Sequence, residues 1–285
     1  MLVMKNFEQL KKHFIDSLKD QYKLREINSF FFLLLENLKK WNRIDFNLQR
    51  LLVVDQEEEL IFQNAIHSLK EEVPIQYIIG SVFFYDFSLK VNNSVLIPRP
   101  ETEELVSLIE NNYAFNPPVN ILDIGTGSGC IILALKKIFP TSECFAIDLS
   151  NEAINVAKEN ASALSLEVNF TVDSVFNVDL KNQFDLIVSN PPYITLEKRK
   201  NMSPNVLNHE PHSALFVYDK DPLLFYRSIA EIGLNNLNNN GKIYFEINEE
   251  YGHEVVSLLR ELGYVNCMLI KDMQQKNRFV SAILK

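Results

Sequence analysis

Three of the chain's eight glycines fall within five positions, in the run Gly125-Thr126-Gly127-Ser128-Gly129. The preceding letters, VNILDI, are typical of a buried strand, and the following letters, CIILALKKI, are typical of a helix. Glycines between a strand and a helix permit a tight turn and let a ligand approach the backbone closely. The run lacks both the GxGxxG spacing of dinucleotide sites and the lysine of triphosphate-binding loops. It therefore predicts a loop for a ligand without phosphates, with close packing of helix on strand as the alternative.

Two acidic residues end the strands that flank this loop in the chain. Asp123 ends the strand before it and can accept a hydrogen bond from a ligand ammonium group. Asp148 ends the next strand, in FAIDLS, where an acid can accept both hydroxyls of an adenosine ribose. That position serves adenosine in both nicotinamide and S-adenosylmethionine proteins. We expect Leu149, the residue after Asp148, to belong to the same cofactor site.

A later strand, FDLIVS, runs directly into Asn190-Pro191-Pro192-Tyr193 at the carboxyl edge of the predicted sheet. The two prolines fix the backbone and remove two donors, so the turn is suited to accepting hydrogen bonds. An amide or aromatic NH2 is a poor nucleophile because its lone pair is delocalised. If Asn190 Oδ1 and the Pro191 carbonyl each accept one N–H, that nitrogen is held in line with a sulfonium methyl group.

Tyr193 is predicted to close over the target group and to face the sulfonium cation. The alternative for the whole turn is a rigid loop that only ends a strand. The order of glycine loop, ribose acid and Asn-Pro-Pro turn favours a catalytic site over that alternative.

The elements that position these residues alternate between strand and helix. The apolar runs predict strands over residues 119–124, 143–148, 167–172, 184–189 and 242–247, with helices between most of them. Such alternation predicts a parallel α/β sheet of the Rossmann-like kind, with helices on both faces. The runs 265–270 and 278–284 predict an antiparallel hairpin at its C-terminal edge.

Residues 1–73 predict a small all-α bundle, because apolar residues recur there at three- and four-residue steps. Residues 74–100 predict a β-hairpin linker, with its turn at Asn92-Asn93 and a return strand over 95–97. Residues 101–285 form the predicted methyltransferase domain. The bundle is expected to dock the substrate, with simple stabilisation of the catalytic domain as the alternative.

The composition narrows the classes of protein. Lys and Arg number 28 against 37 Asp and Glu, a net charge of −9, so a nucleic-acid substrate is not expected. The three cysteines form no CxxC pair, which argues against a disulfide framework or a zinc site. The chain shows no secretory leader and no apolar run long enough to span a membrane. A cytoplasmic protein is expected.

At this point the sequence resembles a known family, the glutamine-N5 methyltransferases of peptide chain release factors. The resemblance rests on VLIPRPETE at residues 95–103, on ILDIGTGSG and SNPPYI, on Glu210-Pro211 with Ala214-Leu215-Phe216, and on Asn277-Arg278. It runs from about residue 74 to the C-terminus. It implies methyl transfer from S-adenosyl-L-methionine, which leaves S-adenosyl-L-homocysteine, to the glutamine of a Gly-Gly-Gln motif.

The resemblance also implies roles for individual residues. Asn190, Pro191 and their neighbours Pro192 and Tyr193 would bind the glutamine amide, and Asn190 would also contact the cofactor. Asp148 would hold the ribose, and Asp123 with the glycine loop the amino-acid end of the cofactor. Arg99 and Glu101 would cover the cofactor or support substrate binding. The alternative for these two residues is a helix N-terminus, with Pro100 in its first turn.

The expected adenine site departs from the family pattern, which has an acid, a large residue and Phe after the third strand. Here the stretch is Asp173-Ser174-Val175-Phe176. Either Asp173 is that acid with a shift of one residue, or Ser174 replaces it and Val175 packs on the ring.

Other classes of protein fit the sequence less well. A DNA or RNA methyltransferase acting on adenine N6 or guanine N2 would use the same turn, but no basic recognition face is visible. A cofactor-binding scaffold would not need the acceptor pair, and a nicotinamide dehydrogenase would need a catalytic His/Lys pair. His209 and His212 flank Glu210, but without further ligands they predict loop residues and no metal site. A monomer acting on release factors is expected.

Overall fold

The structure, a computed structural model, describes residues 6–285. Its helices are α1 (Phe7–Leu18), α2 (Leu24–Lys39), α3 (Arg43–Gln49), α4 (Gln56–Lys70), α5 (Ile75–Ile79), α6 (Pro100–Tyr113), α7 (Cys130–Ile138), α8 (Asn151–Leu164), α9 (Pro204–His209), α10 (His212–Leu215), α11 (Leu224–Asn236) and α12 (Gly252–Glu261), with 3-10 turns at Leu196–Asn201 and Glu249–Tyr251. Its strands are β1 (Ser81–Phe84), β2 (Phe87–Lys90), β3 (Asn120–Ile124), β4 (Glu143–Asp148), β5 (Asn169–Val172), β6 (Phe184–Ser189), β7 (Ile194–Thr195), β8 (Phe216–Val217), β9 (Leu237–Glu246), β10 (Val265–Lys271) and β11 (Asn277–Ile283).

The chain forms two compact units, which divide between Gly80 and Ser81 except that α9 belongs to the first. The first unit is helical, and the apolar faces of its helices meet in an aromatic core. Phe14 packs edge-on against Phe31 and Phe62, with ring centroids 5.7 and 5.9 Å apart. All three rings are buried. The domain division predicted from the sequence, with its docking role for residues 1–73, stays a prediction.

The second unit is built on a seven-stranded sheet in the order β10-β11-β9-β6-β3-β4-β5. The five strands from β9 to β5 are parallel, and β11 is antiparallel to both β9 and β10. Successive residues of a strand face opposite sides of the sheet, and both sides are apolar here. In β6, Leu186 and Val188 join one buried cluster and Ile187 joins the other. The predicted fold class, including its antiparallel edge, is confirmed.

The strand order reverses between β3 and β6, because the chain leaves β3 toward β4 and β5 and then returns to the other side of β3. Open α/β sheets bind ligands in the crevice at this reversal, beyond the carboxyl ends of the strands. Ser189 Oγ, at the end of β6, donates to the Ile124 carbonyl at the end of β3 over 2.6 Å. The glycine loop and the Asn-Pro-Pro turn therefore begin side by side.

The hairpin is not where the sequence pattern placed it. Its strands are β1 and β2, and Tyr85 turns between them with a left-handed φ of 58°. A turn does lie at Asn92, whose Oδ1 accepts the Ser94 N–H and whose carbonyl accepts the Val95 N–H over 3.2 Å, but it joins no pair of strands. Residues 95–97 are not a strand, although Val95 and Ile97 are buried. Alternate residues are buried here without strand pairing.

Among residues 6–285, no helix combines the length and the apolar character that crossing a membrane requires.

Gly233 in α11 provides a test of the packing between this helix and Tyr264. An added Cβ would lie 2.1 Å from Tyr264 Oη, and that hydroxyl is buried and donates to the Ala230 carbonyl. We expect Gly233→Ala to lower the free energy of unfolding by about 1–3 kcal/mol through overpacking. This loss opposes the gain of about 1 kcal/mol that Ala brings over Gly in a helix. Urea unfolding followed by circular dichroism measures the change. Glu231→Ala, at an exposed position of α11, is the control, and a Gly233→Ala protein as stable as the parent would contradict the packing.

Candidate active site

The three glycines after β3 all have left-handed φ angles, 75° at Gly125, 55° at Gly127 and 83° at Gly129. Side chains rarely adopt this conformation, so the loop requires glycine. A Cβ at Gly125 or Gly127 would meet no atom within 4 Å, and both residues line a cavity. A Cβ at Gly129 would instead lie 3.1 Å from the Leu133 side chain. The ligand interpretation therefore fits the first two glycines, and the packing interpretation fits the third.

Asp148, at the end of β4, ties the glycine loop to the next helix. Its Oδ2 accepts the Gly127 N–H and its Oδ1 accepts the Ser150 N–H, both over 2.9 Å. Burial raises the pKa of this carboxyl, whereas the backbone hydrogen bonds act to lower it. Asp148 and Leu149 both line the cavity. Each oxygen of Asp148 keeps a lone pair with which to accept a ligand hydroxyl.

Asp123 is fully buried beneath the glycine loop and does not line the cavity wall. Its Oδ2 accepts the Thr126 hydroxyl over 2.7 Å, and its Oδ1 has no hydrogen-bond partner. Burial raises the pKa of Asp123 to about 7. An unpaired buried acceptor is costly and therefore unusual in a folded protein. Asp123 holds the glycine loop through Thr126, and its predicted contact with a ligand ammonium group stays a prediction.

The four residues proposed for adenine all line the cavity: Asp173, Ser174, Val175 and Phe176. Asp173 Oδ1 accepts the Ser174 N–H over 2.7 Å, and Ser174 Oγ accepts the Phe176 N–H over 3.3 Å. The Phe176 ring lies beside the Phe225 ring, with centroids 5.5 Å apart. These contacts give the loop a fixed shape and leave both alternatives for the adenine contact open.

Asn190, Pro191 and Pro192 line the same cavity as Gly125 and Asp148. The carboxyl ends of β3, β4 and β6 thus bring the predicted cofactor residues and the predicted acceptor turn to one site. The Asn190 side chain is held by its Nδ2, which donates to Thr102 Oγ1 over 3.3 Å.

Tyr193 is not among the residues that line the cavity. Its hydroxyl donates to Glu246 Oε1 over 3.2 Å, and its ring packs against the core on one face of the sheet. Burial raises the pKa of this phenol well above its usual value. Tyr193 is therefore turned inward in this structure, which differs from the covering position that the sequence suggested.

Arg99 and Glu101 also lie outside the cavity lining. The Arg99 guanidinium pairs with Glu210 Oε1, and Glu210 Oε2 accepts the Ile97 N–H over 3.2 Å. Glu101 lies in the first turn of α6, just after Pro100. Both positions match the alternative reading of this segment as the start of a helix.

The cavity has a volume of about 550 Å³, and its walls include residues that sequence reasoning did not assign. They come mainly from the stretch after β2 and from the stretch around β8, and they include Ser94, Val95, Leu96, Leu196, Pro211, His212, Ser213, Ala214, Phe216, Val217, Tyr218, Leu224, Phe225 and Ile229. The motifs Glu210-Pro211 and Ala214-Leu215-Phe216 belong to the stretch around β8. The sequence did not indicate that this stretch lines the cavity. The parallel pairing of β7 with β8 brings it to the end of the Asn-Pro-Pro turn.

The site fits S-adenosylmethionine. The open glycine cradle leaves room for a ligand close to the backbone, and the carboxylate of Asp148 offers acceptors for a ribose. The cavity lining holds no cluster of basic residues for phosphates. Among residues 6–285 there is also no group of three or more His, Cys, Asp or Glu side chains that could hold a metal ion. His209 Nε2 lies 2.9 Å from the Glu71 carbonyl.

Fold and site together define an S-adenosylmethionine-dependent methyltransferase. Residues 101–213 match the family model of the methyltransferase small domain, and residues 9–80 match that of the PrmC N-terminal domain. A methyltransferase structure from Pyrococcus furiosus shares the fold, with a TM-score of 0.53 and 17% identity over 78% of this chain and 98% of that one.

Two relatives narrow the class to a family. The release factor glutamine methyltransferase of Flavobacterium psychrophilum is 42% identical over 283 residues, which is 98% of each chain. That of Bacteroides thetaiotaomicron is 39% identical over 93% of this chain and 96% of its own. The chain belongs to the release factor glutamine methyltransferases.

Asp148→Asn tests the cofactor site. An amide has a single acceptor oxygen, so one of the two N–H groups now bound by Asp148 would face an NH2. We expect the dissociation constant for S-adenosylmethionine to rise about 10- to 100-fold, the equivalent of about 1.5–3 kcal/mol for a charged hydrogen bond. Isothermal titration calorimetry measures it. Asp179→Asn, which removes an exposed carboxylate paired with Lys181, is the control. Equal affinities of parent and Asp148→Asn would place the ribose elsewhere.

Proposed function

We propose that Asn190 and Pro191 hold the side-chain amide of the substrate glutamine while this enzyme methylates its N5. The enzyme transfers the methyl group of S-adenosyl-L-methionine to the glutamine of the Gly-Gly-Gln motif in peptide chain release factors. One observation carries the assignment of residues. The Asn190-Pro191-Pro192 turn lines the same cavity as the glycine loop and Asp148.

The chemistry explains why this turn is needed. When bound, the cofactor supplies an electrophilic methyl group on a sulfonium. The amide nitrogen is a weak nucleophile, so the contribution of Asn190 and Pro191 is to orient it. Asn190 Oδ1 accepts one N–H and the Pro191 carbonyl accepts the other, which fixes the nitrogen and favours its lone pair pointing at the methyl group.

The cavity wall supports this orientation. Much of the lining is apolar, including Leu96, Val175 and Phe225, so the wall offers few groups that would compete with Asn190 and Pro191 for the amide N–H groups. The two prolines lower the cost of fixing the acceptors, because the backbone is already rigid before the substrate binds.

Asn190→Ala tests the proposed acceptor. We expect kcat to fall about 100-fold or more, in line with the loss of a transition-state hydrogen bond, while cofactor affinity stays within about twofold because Asp148 and the glycine loop are intact. Mass spectrometry of a release factor incubated with enzyme and cofactor gives kcat, and calorimetry gives the affinity. Asn182→Ala, at an exposed position, is the control.

A parallel loss of cofactor affinity in Asn190→Ala would place this residue in the cofactor site alone. Oligonucleotides in the same assay form a second arm, because a DNA or RNA amino-methyltransferase would label them. Methylated oligonucleotide without methylated release factor would overturn the assignment of substrate.

The first unit is proposed to dock the release factor. Supporting this, α3 and the residues after it expose large apolar side chains to solvent, which is unusual for a surface without a partner. We name this the α3 surface, and it consists of Ile44, Leu48, Leu51, Leu52 and Val53. Leu48 is 80% exposed and Val53 77% exposed, and Ile44 and Leu48 lie one turn apart on one face of α3.

Leu48→Glu tests the α3 surface. We expect KM for the intact release factor to rise about tenfold with kcat nearly unchanged, because docking contributes binding without contacting the reacting atoms. Steady-state kinetics measure both constants. Leu24→Glu, an exposed leucine of α2 outside the α3 surface, is the control. The same KM in Leu48→Glu and in the parent would assign this unit to stabilisation only.

A further inference from the structure

Glu246, the last residue of β9, is a carboxylate buried behind the Asn-Pro-Pro turn. Its Oε2 accepts the hydroxyl of Thr102 over 2.7 Å. Its Oε1 accepts the hydroxyl of Tyr193 over 3.2 Å. Two hydroxyl protons from two different parts of the chain are therefore directed at one carboxylate.

The hydrogen bond to Glu246 restricts how the Thr102 hydroxyl can bond to its second partner. A threonine hydroxyl has one proton, and an ionised carboxylate can only accept. Once the proton of Thr102 points at Glu246, Oγ1 can only accept from any other partner. That partner is Asn190 Nδ2, at 3.3 Å. The NH2 end of the Asn190 amide is therefore the end that can hydrogen-bond to Thr102.

The two ends of an asparagine amide have opposite hydrogen-bonding roles. If Nδ2 is held at Thr102, Oδ1 is the end left to face the cavity that Asn190 lines. If the amide were flipped, a donor would face the NH2 of the substrate, and two donors cannot hydrogen-bond to each other.

We propose that Thr102 and Glu246 are positioning residues for methyl transfer, which act by fixing the Asn190 amide so that its oxygen faces the substrate glutamine. The inference rests on the proposed role of Asn190. Neither Thr102 nor Glu246 lines the cavity, so both act through Asn190 and not on the substrate.

Burial has the largest effect on the Glu246 carboxyl and raises its pKa. The hydrogen bond from Thr102, the positive charge of Arg278 on β11 and the hydrogen bond from Tyr193 oppose this rise, and the nearby charge of Glu101 on α6 adds to it. Arg278 is itself held by Asp272, whose Oδ2 accepts its Nε–H over 3.2 Å. The antiparallel hairpin of β10 and β11 thus places the positive charge of Arg278 near Glu246.

Thr102→Val, Thr102→Ser, Asn190→Ala and the double variant Asn190→Ala/Thr102→Val test the proposal. We expect Thr102→Val to lower kcat on the release factor about 10- to 100-fold, as for the loss of a hydrogen bond used in the transition state, with cofactor affinity within about twofold of the parent. Thr102→Ser keeps the hydroxyl and is expected to stay within about threefold of the parent. In the Asn190→Ala background, Thr102→Val is expected to change kcat by less than about twofold, because residues that act as one unit are not additive.

Each other outcome has a distinct meaning. If Thr102→Val lowers kcat as much in the Asn190→Ala background as it does in the parent, Thr102 acts independently of Asn190 and the inference is wrong. A Thr102→Ser protein as impaired as Thr102→Val would overturn it as well, because a hydroxyl would not suffice. If Asn190→Ala itself leaves kcat unchanged, the proposed role of Asn190 fails first, and the inference fails with it.

Two further variants separate positioning from folding. Ser107→Ala removes a hydroxyl from the same helix, one that donates to the Glu103 carbonyl, and is expected to leave kcat unchanged. Glu246→Gln keeps the size of the side chain but has one acceptor oxygen for two hydroxyls, so it is expected to lower kcat about tenfold or more by the same route. If Thr102→Val does not fold, Glu246→Gln decides in its place, and a parent-like kcat in a folded Glu246→Gln protein would overturn the inference.

Discussion

The hydrogen bond from Ser189 Oγ to the Ile124 carbonyl joins the ends of β6 and β3 at the point where the strand order reverses. Parallel strands end at one edge of the sheet, so whatever follows each strand meets there. The glycine loop follows β3, Asp148 ends β4 and the Asn-Pro-Pro turn follows β6. This one constraint brings the proposed cofactor residues and the proposed pair of amide acceptors to the same cavity, and our proposal for glutamine methylation depends on that arrangement.

The predicted residues that line the cavity are those that follow the end of a strand. A buried strand followed by glycines, or by two prolines, fixes local geometry that the rest of the fold does not alter. Asp148 and the loop from Asp173 to Phe176 are predictable for the same reason, since their distance along the chain from β3 follows from a βαβ unit. The parallel sheet with its antiparallel edge followed from the spacing of apolar runs.

The residues that the sequence could not place depend on contacts between distant parts of the chain. Arg99 is a strong motif residue, but its partner Glu210 is 111 positions away, and only the fold shows that they pair. Tyr193 turns toward Glu246, 53 positions away, so its direction could not be read from the Asn-Pro-Pro-Tyr run. The residues around β8 line the cavity, but β8 has only two residues. A strand that short shows no alternating pattern in the sequence.

The most direct test of the central claim is a crystal structure of the enzyme with S-adenosyl-L-homocysteine and a peptide containing Gly-Gly-Gln. The account predicts that the glutamine Nε2 lies about 2.7–3.2 Å from both Asn190 Oδ1 and the Pro191 carbonyl, with its free side toward the cofactor sulfur. A glutamine amide bound away from these two oxygens, or one that faces Asn190 Nδ2, would contradict it.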